Sequence, residues 1–94
     1  MRFSKGQFDN ALIAVWEGKI NIEDDCQLRV LAAICVALRI SEAQLWNLKR
    51  PQIKRFINGL DRSGRSSLRK VAQSEQITPS VDKLKRSYTS VDIS

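Results

Sequence analysis

Eight basic side chains crowd into one short stretch of this chain. Lys49, Arg50, Lys54, Arg55, Arg62, Arg65, Arg69 and Lys70 face a single acid, Asp61. The stretch 49–70 therefore carries +7, while residues 1–48 carry −1 and residues 71–94 carry 0, which gives the overall +6. A positive field concentrated in this way draws polyanions and adds little to folding. Each Lys or Arg that meets a phosphate also releases counterions, which favours binding. The alternative is a solvated basic face with no dedicated partner.

Other chemistries lack their parts. There is no histidine, which removes the usual general base near neutral pH and the commonest metal ligand. Cys26 and Cys35 alone do not make a zinc site. On one helix they would stand roughly 13 Å apart at 1.5 Å per residue, beyond the ~7 Å Cα separation that a disulfide tolerates. They read as buried thiols of a reducing compartment. Glu23, Asp24 and Asp25 are consecutive, so a helix splays them to different sides. Gly6, Gly18, Gly59 and Gly64 are too scattered for a phosphate loop. No recurring catalytic constellation assembles. The expectation is a protein without catalytic residues, metal or cofactor.

The elements that must carry the basic stretch read as helices throughout. The sequence predicts an all-α bundle of four to five short helices around a buried central helix at about residues 22–39. Ser4 and Gln7 form a capping-box pair, with Phe3 and Phe8 as a hydrophobic staple. Ser41 and Gln44 repeat it, with Ile40 and Leu45. Asn21 caps a third start, whose first-turn acids suit the helix dipole. The first helix spans Lys5 to Glu17, with Phe8, Leu12, Val15 and Trp16 as its apolar stripe and Gly18 as its stop. The second spans Ile22 to Arg39 and is apolar all round from Val30 to Leu38, with Arg29 and Arg39 as solvated ends. The third spans Glu42 to Lys49. A fourth has Pro51 in its first turn and Ile53, Phe56, Ile57 and Leu60 inward. Trp16, Phe8 and Phe56 read as core. Ser63-Gly64 breaks the pattern, so Arg62, Arg65, Arg69 and Lys70 are expected on a looser arm. Ser66 is expected to cap a short helix holding Leu68, Val71 and Ala72. Residues 1–73 form the helical domain. Residues 74–94 form a polar segment with one short helix from Thr78, Val81 and Leu84 inward, and then a mobile end from Ser87 to Ser94.

Ile34, Cys35, Leu38, Ile40, Leu45 and Leu48 have the spacing of the buried positions of a helix-turn-helix. Over about residues 30–50 the chain resembles that family of DNA-binding domains, with Arg39 where the family favours glycine. The resemblance implies that Glu42, Ala43, Trp46, Asn47 and Arg50 face outward from the second helix. That helix would enter a DNA major groove as part of a homodimer. Asn47 is then the candidate for base contact, through adenine.

No apolar run approaches the ~20 residues of a membrane span. The start, Met1-Arg2-Phe3-Ser4, leads into an amphipathic segment and does not read as a signal peptide. The narrow apolar face of the fourth helix is needed by the core, which argues against membrane binding. These features point to a cytoplasmic protein. The expected function is a small nucleic-acid-binding protein, DNA before RNA, plausible as a regulator. Its phosphate contacts would be Lys49, Arg50, Lys54, Arg55, Arg62, Arg65, Arg69 and Lys70. The alternative is an adaptor or inhibitor that docks the same basic face on an acidic protein surface.

Overall fold

Ser4 opens the first helix as its spacing predicts. In the computed structural model, the backbone of residues 2–93 and the side chains of residues 2–88 are described. Ser4 Oγ accepts from the Gln7 amide at 3.1 Å, and Gln7 Oε1 accepts from the Ser4 amide at 2.8 Å. This capping box starts α1 (Lys5–Glu17). Phe3 and Phe8 stack beside it, with ring centroids 6.2 Å apart. Gly18 ends the helix at φ 76°, a left-handed conformation that glycine adopts without steric cost.

The second helix starts later than expected. α2 (Asp25–Leu38) is capped by Asp24, whose Oδ1 accepts from the Cys26 and Gln27 amides. Asn21 Oδ1 instead accepts from the Glu23 amide. That is a local Asx turn, which offers the backbone an alternative to helix. Leu28 to Cys35 are all buried, so α2 is the central helix. Arg39 closes it at φ 56°.

Arg29 corrects a second expectation. It is not a solvated helix end but is only 8% exposed. Its Nη1 donates to the Ala72 and Ser74 carbonyls at 3.1 and 3.0 Å, and its Nη2 donates to Thr78 Oγ1 at 3.2 Å. It thereby ties the central helix to the chain between the last two long helices.

Ser41 and Gln44 form the second capping box and start α3 (Glu42–Trp46), which stops short of the predicted Lys49. α4 (Arg50–Asn58) follows with Pro51 in its first turn, as predicted, and packs on α1. Ile57 is buried, and Ile53, Phe56 and Leu60 are half-buried against the core.

The predicted loose arm is a helix. α5 (Arg62–Gln73) runs through Gly64 without a break. The reason is Asp61, whose Oδ1 accepts from the Gly64 amide at 2.6 Å and so caps the helix. Gly64 lies in the first turn, and Ser66 is interior rather than a cap. Leu68 and Ala72 are buried where α5 packs on α2.

A short 3-10 turn (Glu75–Ile77) leads into α6 (Thr78–Ile93). Val81 and Leu84 are buried as predicted, but the helix runs to 16 residues and packs on α2 and α3. The end expected to be mobile has helical backbone through Ile93. Ser94 and the side chains beyond Tyr88 lie outside the described residues. The fold is an all-α bundle of six helices, with no strand among the described residues. None of these helices is long and apolar enough to cross a membrane.

Both cysteines are free thiols, Cys35 buried and Cys26 half-buried. Burial, with a smaller effect from the Glu42 charge, pushes the Cys35 thiol up to about 12. Burial and then the Asp24 and Asp25 charges raise Cys26. The described residues hold no group of three side chains able to bind a metal.

Candidate functional site

Capping by Asp61 turns three arginines into a fixed stripe. Arg62, Arg65 and Arg69 stand at i, i+3 and i+7, so they share one side of α5. Leu68 and Ala72, on another side, hold the helix to α2. α5 and α1 line the same cavity. At one end the Phe3 amide donates to Gln73 Oε1 at 2.9 Å. Farther along, Arg65 lines a cavity with Asp9 and Trp16.

Two neighbouring cavities lie along these helices. The wider, about 510 Å³, is lined by Lys5, Phe8 and Asp9 of α1 and by residues between Leu60 and Arg69, including Arg62, Arg65 and Ser66. The second, about 310 Å³, shares Asp9 and Arg65 with the first and continues past Leu12, Ile13 and Ile57 to Trp16 and Asn58. Ile13 is 53% exposed there, one of two large apolar side chains open to solvent among those described.

α4 completes the far end. Arg50 Nη2 donates to the Trp16 carbonyl at 3.1 Å, at the C-terminal end of α1, where a cation is favoured. Lys54 Nζ sits 4.4 Å from the centre of the Trp16 ring, a cation–π contact. Trp16 Nε1 donates to Asn58 Oδ1 at 3.1 Å. Trp16, expected in the core, is a half-buried platform that fixes two of the cations.

The cations therefore form a rim along α1. Lys5, Arg69, Arg62 and Arg65 border the wide cavity, and Lys54 and Arg50 follow at Trp16. α1 has 13 residues, so the rim is about 20 Å long at 1.5 Å per residue. Among the described residues the ion pairs are Lys19–Glu17 at 3.4 Å and Lys85–Asp25 at 4.0 Å. Among the described residues, none of the eight cations of 49–70 has a carboxylate within ion-pair distance. Lys49, Arg55 and Lys70 are exposed but line neither cavity.

Lys5 and Asp9 escaped the sequence reading. They lie at i and i+4, with Ile13 at i+8, on the side of α1 left open by the Phe8, Leu12 and Val15 stripe. That side gains meaning only once α5 is known to lie beside it.

The α2–α3 corner has a different character. Arg39 takes the left-handed conformation at the position where helix-turn-helix proteins favour glycine. Of the five residues expected to face outward, Ala43, Asn47 and Arg50 are exposed. Glu42 and Trp46 are engaged by α6. Glu42 Oε1 accepts from Ser80 Oγ at 3.0 Å, and Trp46 Nε1 donates to the Leu84 carbonyl at 3.2 Å. The Trp46 ring meets Tyr88 edge-on at 5.3 Å. Asn47 ends a helix of five residues as its C-cap. Comparison with protein-family models, curated proteins and solved structures finds no match for the chain.

Proposed function

We propose that this chain is a non-enzymatic nucleic-acid-binding protein, with DNA before RNA as its ligand, that grips phosphates along the α1 rim. The observation that carries the reading is the set of cations on α4 and α5 that have no ion-paired carboxylate among the described residues. Nearby carboxylates offset only part of the cations' charge, and the remainder is available to a polyanion. A rim of about 20 Å spans the rise of about six base pairs at 3.4 Å each. Because α6 occupies Glu42 and Trp46, affinity is assigned to backbone phosphates rather than to base reading by α3. Binding of this kind suits a small regulator that occupies its target.

A protein-binding adaptor is the second reading, favoured by one observation. The floor beside the rim is apolar, with Ile13 exposed and Trp16 half-buried. An acidic amphipathic segment would complement both features.

Fluorescence anisotropy with unrelated duplex DNA and with RNA, across a salt series, separates the two. If about five phosphates are neutralised, affinity falls by about 10² to 10³ between 50 and 200 mM salt. Lys54→Glu with Arg65→Glu on the rim is expected to weaken binding far more than Lys49→Glu with Lys70→Glu off it. The opposite order means the surface is misplaced. No binding at low salt sinks the nucleic-acid reading and promotes the adaptor.

A further inference from the structure

The rim is not uniform: its α5 half borders a cavity of about 510 Å³ with four cations in its lining, whereas the cavity of about 210 Å³ at its α4 half has Arg50 alone. Arg62, Arg65 and Arg69 converge with Lys5 on the 510 Å³ cavity, a size in the usual range for small-ligand sites. Asp9 and Asp61 also line it, so four cations against two carboxylates leave a net +2. Asp61 is already committed to the Gly64 amide.

We infer that this cavity receives a phosphomonoester, the terminal phosphate of a nucleic-acid strand. The assignment rests on the nucleic-acid reading above and names the part of the ligand that enters here. Three facts carry it. An internal phosphodiester bears one negative charge and needs an open surface, because sugars flank it on both sides. A terminal phosphate bears nearly two at neutral pH, which matches the lining, and it enters a concavity end-on. Guanidinium groups from successive turns of one helix can each present paired N–H donors to its oxygens.

Across Asp9 and Arg65, which line both, the cavity adjoins a second space beside Leu12, Ile13 and Ile57. The first nucleoside of the strand has its apolar contact there. Lys54 and Arg50 then lie beyond it, where internal phosphates pass. A free nucleotide would use the first cavity and leave this continuation empty.

The test compares two short single-stranded oligonucleotides of one sequence, one with a 5′-phosphate and one with a 5′-hydroxyl. The expected result is about tenfold tighter binding of the phosphorylated strand. Arg65→Ala with Arg69→Ala is expected to cut that preference below about twofold, whereas Arg55→Ala with Lys70→Ala leaves it intact. Lys5→Ala approaches the same cavity from the exposed first turn of α1 and is expected to reduce the preference independently of α5. Circular dichroism checks that each variant remains helical.

Equal binding of the two strands overturns the terminal-phosphate assignment and leaves the nucleic-acid reading standing. Binding of neither strand overturns the terminal-phosphate assignment, and if unrelated duplex DNA and RNA also fail to bind at low salt, both readings fall. A preference that survives Arg65→Ala with Arg69→Ala and also survives Lys5→Ala places the phosphate elsewhere. A nucleoside 5′-monophosphate that binds as tightly as the phosphorylated strand overturns the strand end as ligand in favour of a free nucleotide.

Discussion

Replacing Arg29 with methionine removes a charge that the fold has buried, while keeping most of the side chain's volume. Three contacts go with it: the Ala72 and Ser74 carbonyls and the Thr78 hydroxyl. They are not equal. Ser74 O still accepts from the Ile77 amide at 3.2 Å, and Thr78 is exposed and returns to water. The Ala72 carbonyl is among the last four of α5, which have no regular intrahelical partner, so it is the group left orphaned. An unsatisfied buried carbonyl costs about 1–3 kcal/mol. Loss of a cation at the C-terminal end of α5 adds about 0.3–1 kcal/mol. The expected loss is therefore about 3 kcal/mol, or a Tm lower by roughly 12–24 °C for a domain of this size. Urea unfolding followed by circular dichroism should show the midpoint falling with the slope unchanged. Arg29→Lys is expected to restore less than half, because one ammonium does not fork to two carbonyls. A loss below about 1 kcal/mol for Arg29→Met would refute the reasoning. It would mean that desolvating the guanidinium cancels what its bonds contribute.

Asp61 has two separable roles, as the cap of α5 and as a negative charge in the cavity. Asp61→Asn keeps a good cap, so thermal stability should hold while low-salt affinity for a polyanion rises; Asp61→Ala should cost about 1 kcal/mol by the same melt. Gly18→Ala places a Cβ at φ 76° and into the Arg50 guanidinium, an expected loss of about 1–2 kcal/mol in urea unfolding. In an Arg50→Ala background the clash disappears and only the backbone part should remain. Cys35 gives a pH test: its thiol stays protonated in the native state up to about 12, against an ordinary value of 9.0. Above 9.0 the unfolded chain releases that proton first, so stability should fall as pH rises from there toward about 12. Below 9.0 the contribution is fully present. Cys35→Ala should remove this part of the decline in pH-dependent urea titrations.

Helix starts were legible where a side chain and its amide partner lie three residues apart. Ser4–Gln7 and Ser41–Gln44 needed only local sequence, and both formed. The central position of α2 followed from an apolar run with no polar side. Asn21 against Asp24 was not decidable at that level, because both are good caps and the choice rests on how the chain enters the bundle. Arg29 was illegible for a stronger reason. Its partners lie 43 to 49 residues away, and nothing near Arg29 marks a cation that will be buried on carbonyls. For the site, the residue types were legible and their grouping was not. Periodicity would put Arg62, Arg65 and Arg69 on one side of a helix, but with Gly64 taken as a break they are expected on a loose arm. It could not say that α1 would face them with Lys5 and Asp9.

Gly64 shows how a single local judgement changes the chemistry assigned to the site. Read as a helix breaker, it gives a flexible arm that must be ordered on binding, with each immobilised side chain costing about 0.5–1.5 kcal/mol on top of the backbone. Within the first turn of α5 its lack of a side chain weakens the helix little, and its amide is the one Asp61 needs. Arg29 secures the other end by holding the Ala72 and Ser74 carbonyls. With both ends fixed, the backbone beneath Arg62, Arg65 and Arg69 is ordered before any ligand arrives, and only the side chains remain to be immobilised. A flexible arm would follow a phosphate backbone wherever it led. A fixed stripe facing a second helix defines a cavity of definite size and charge, and that is what allows one phosphate to be distinguished from the next.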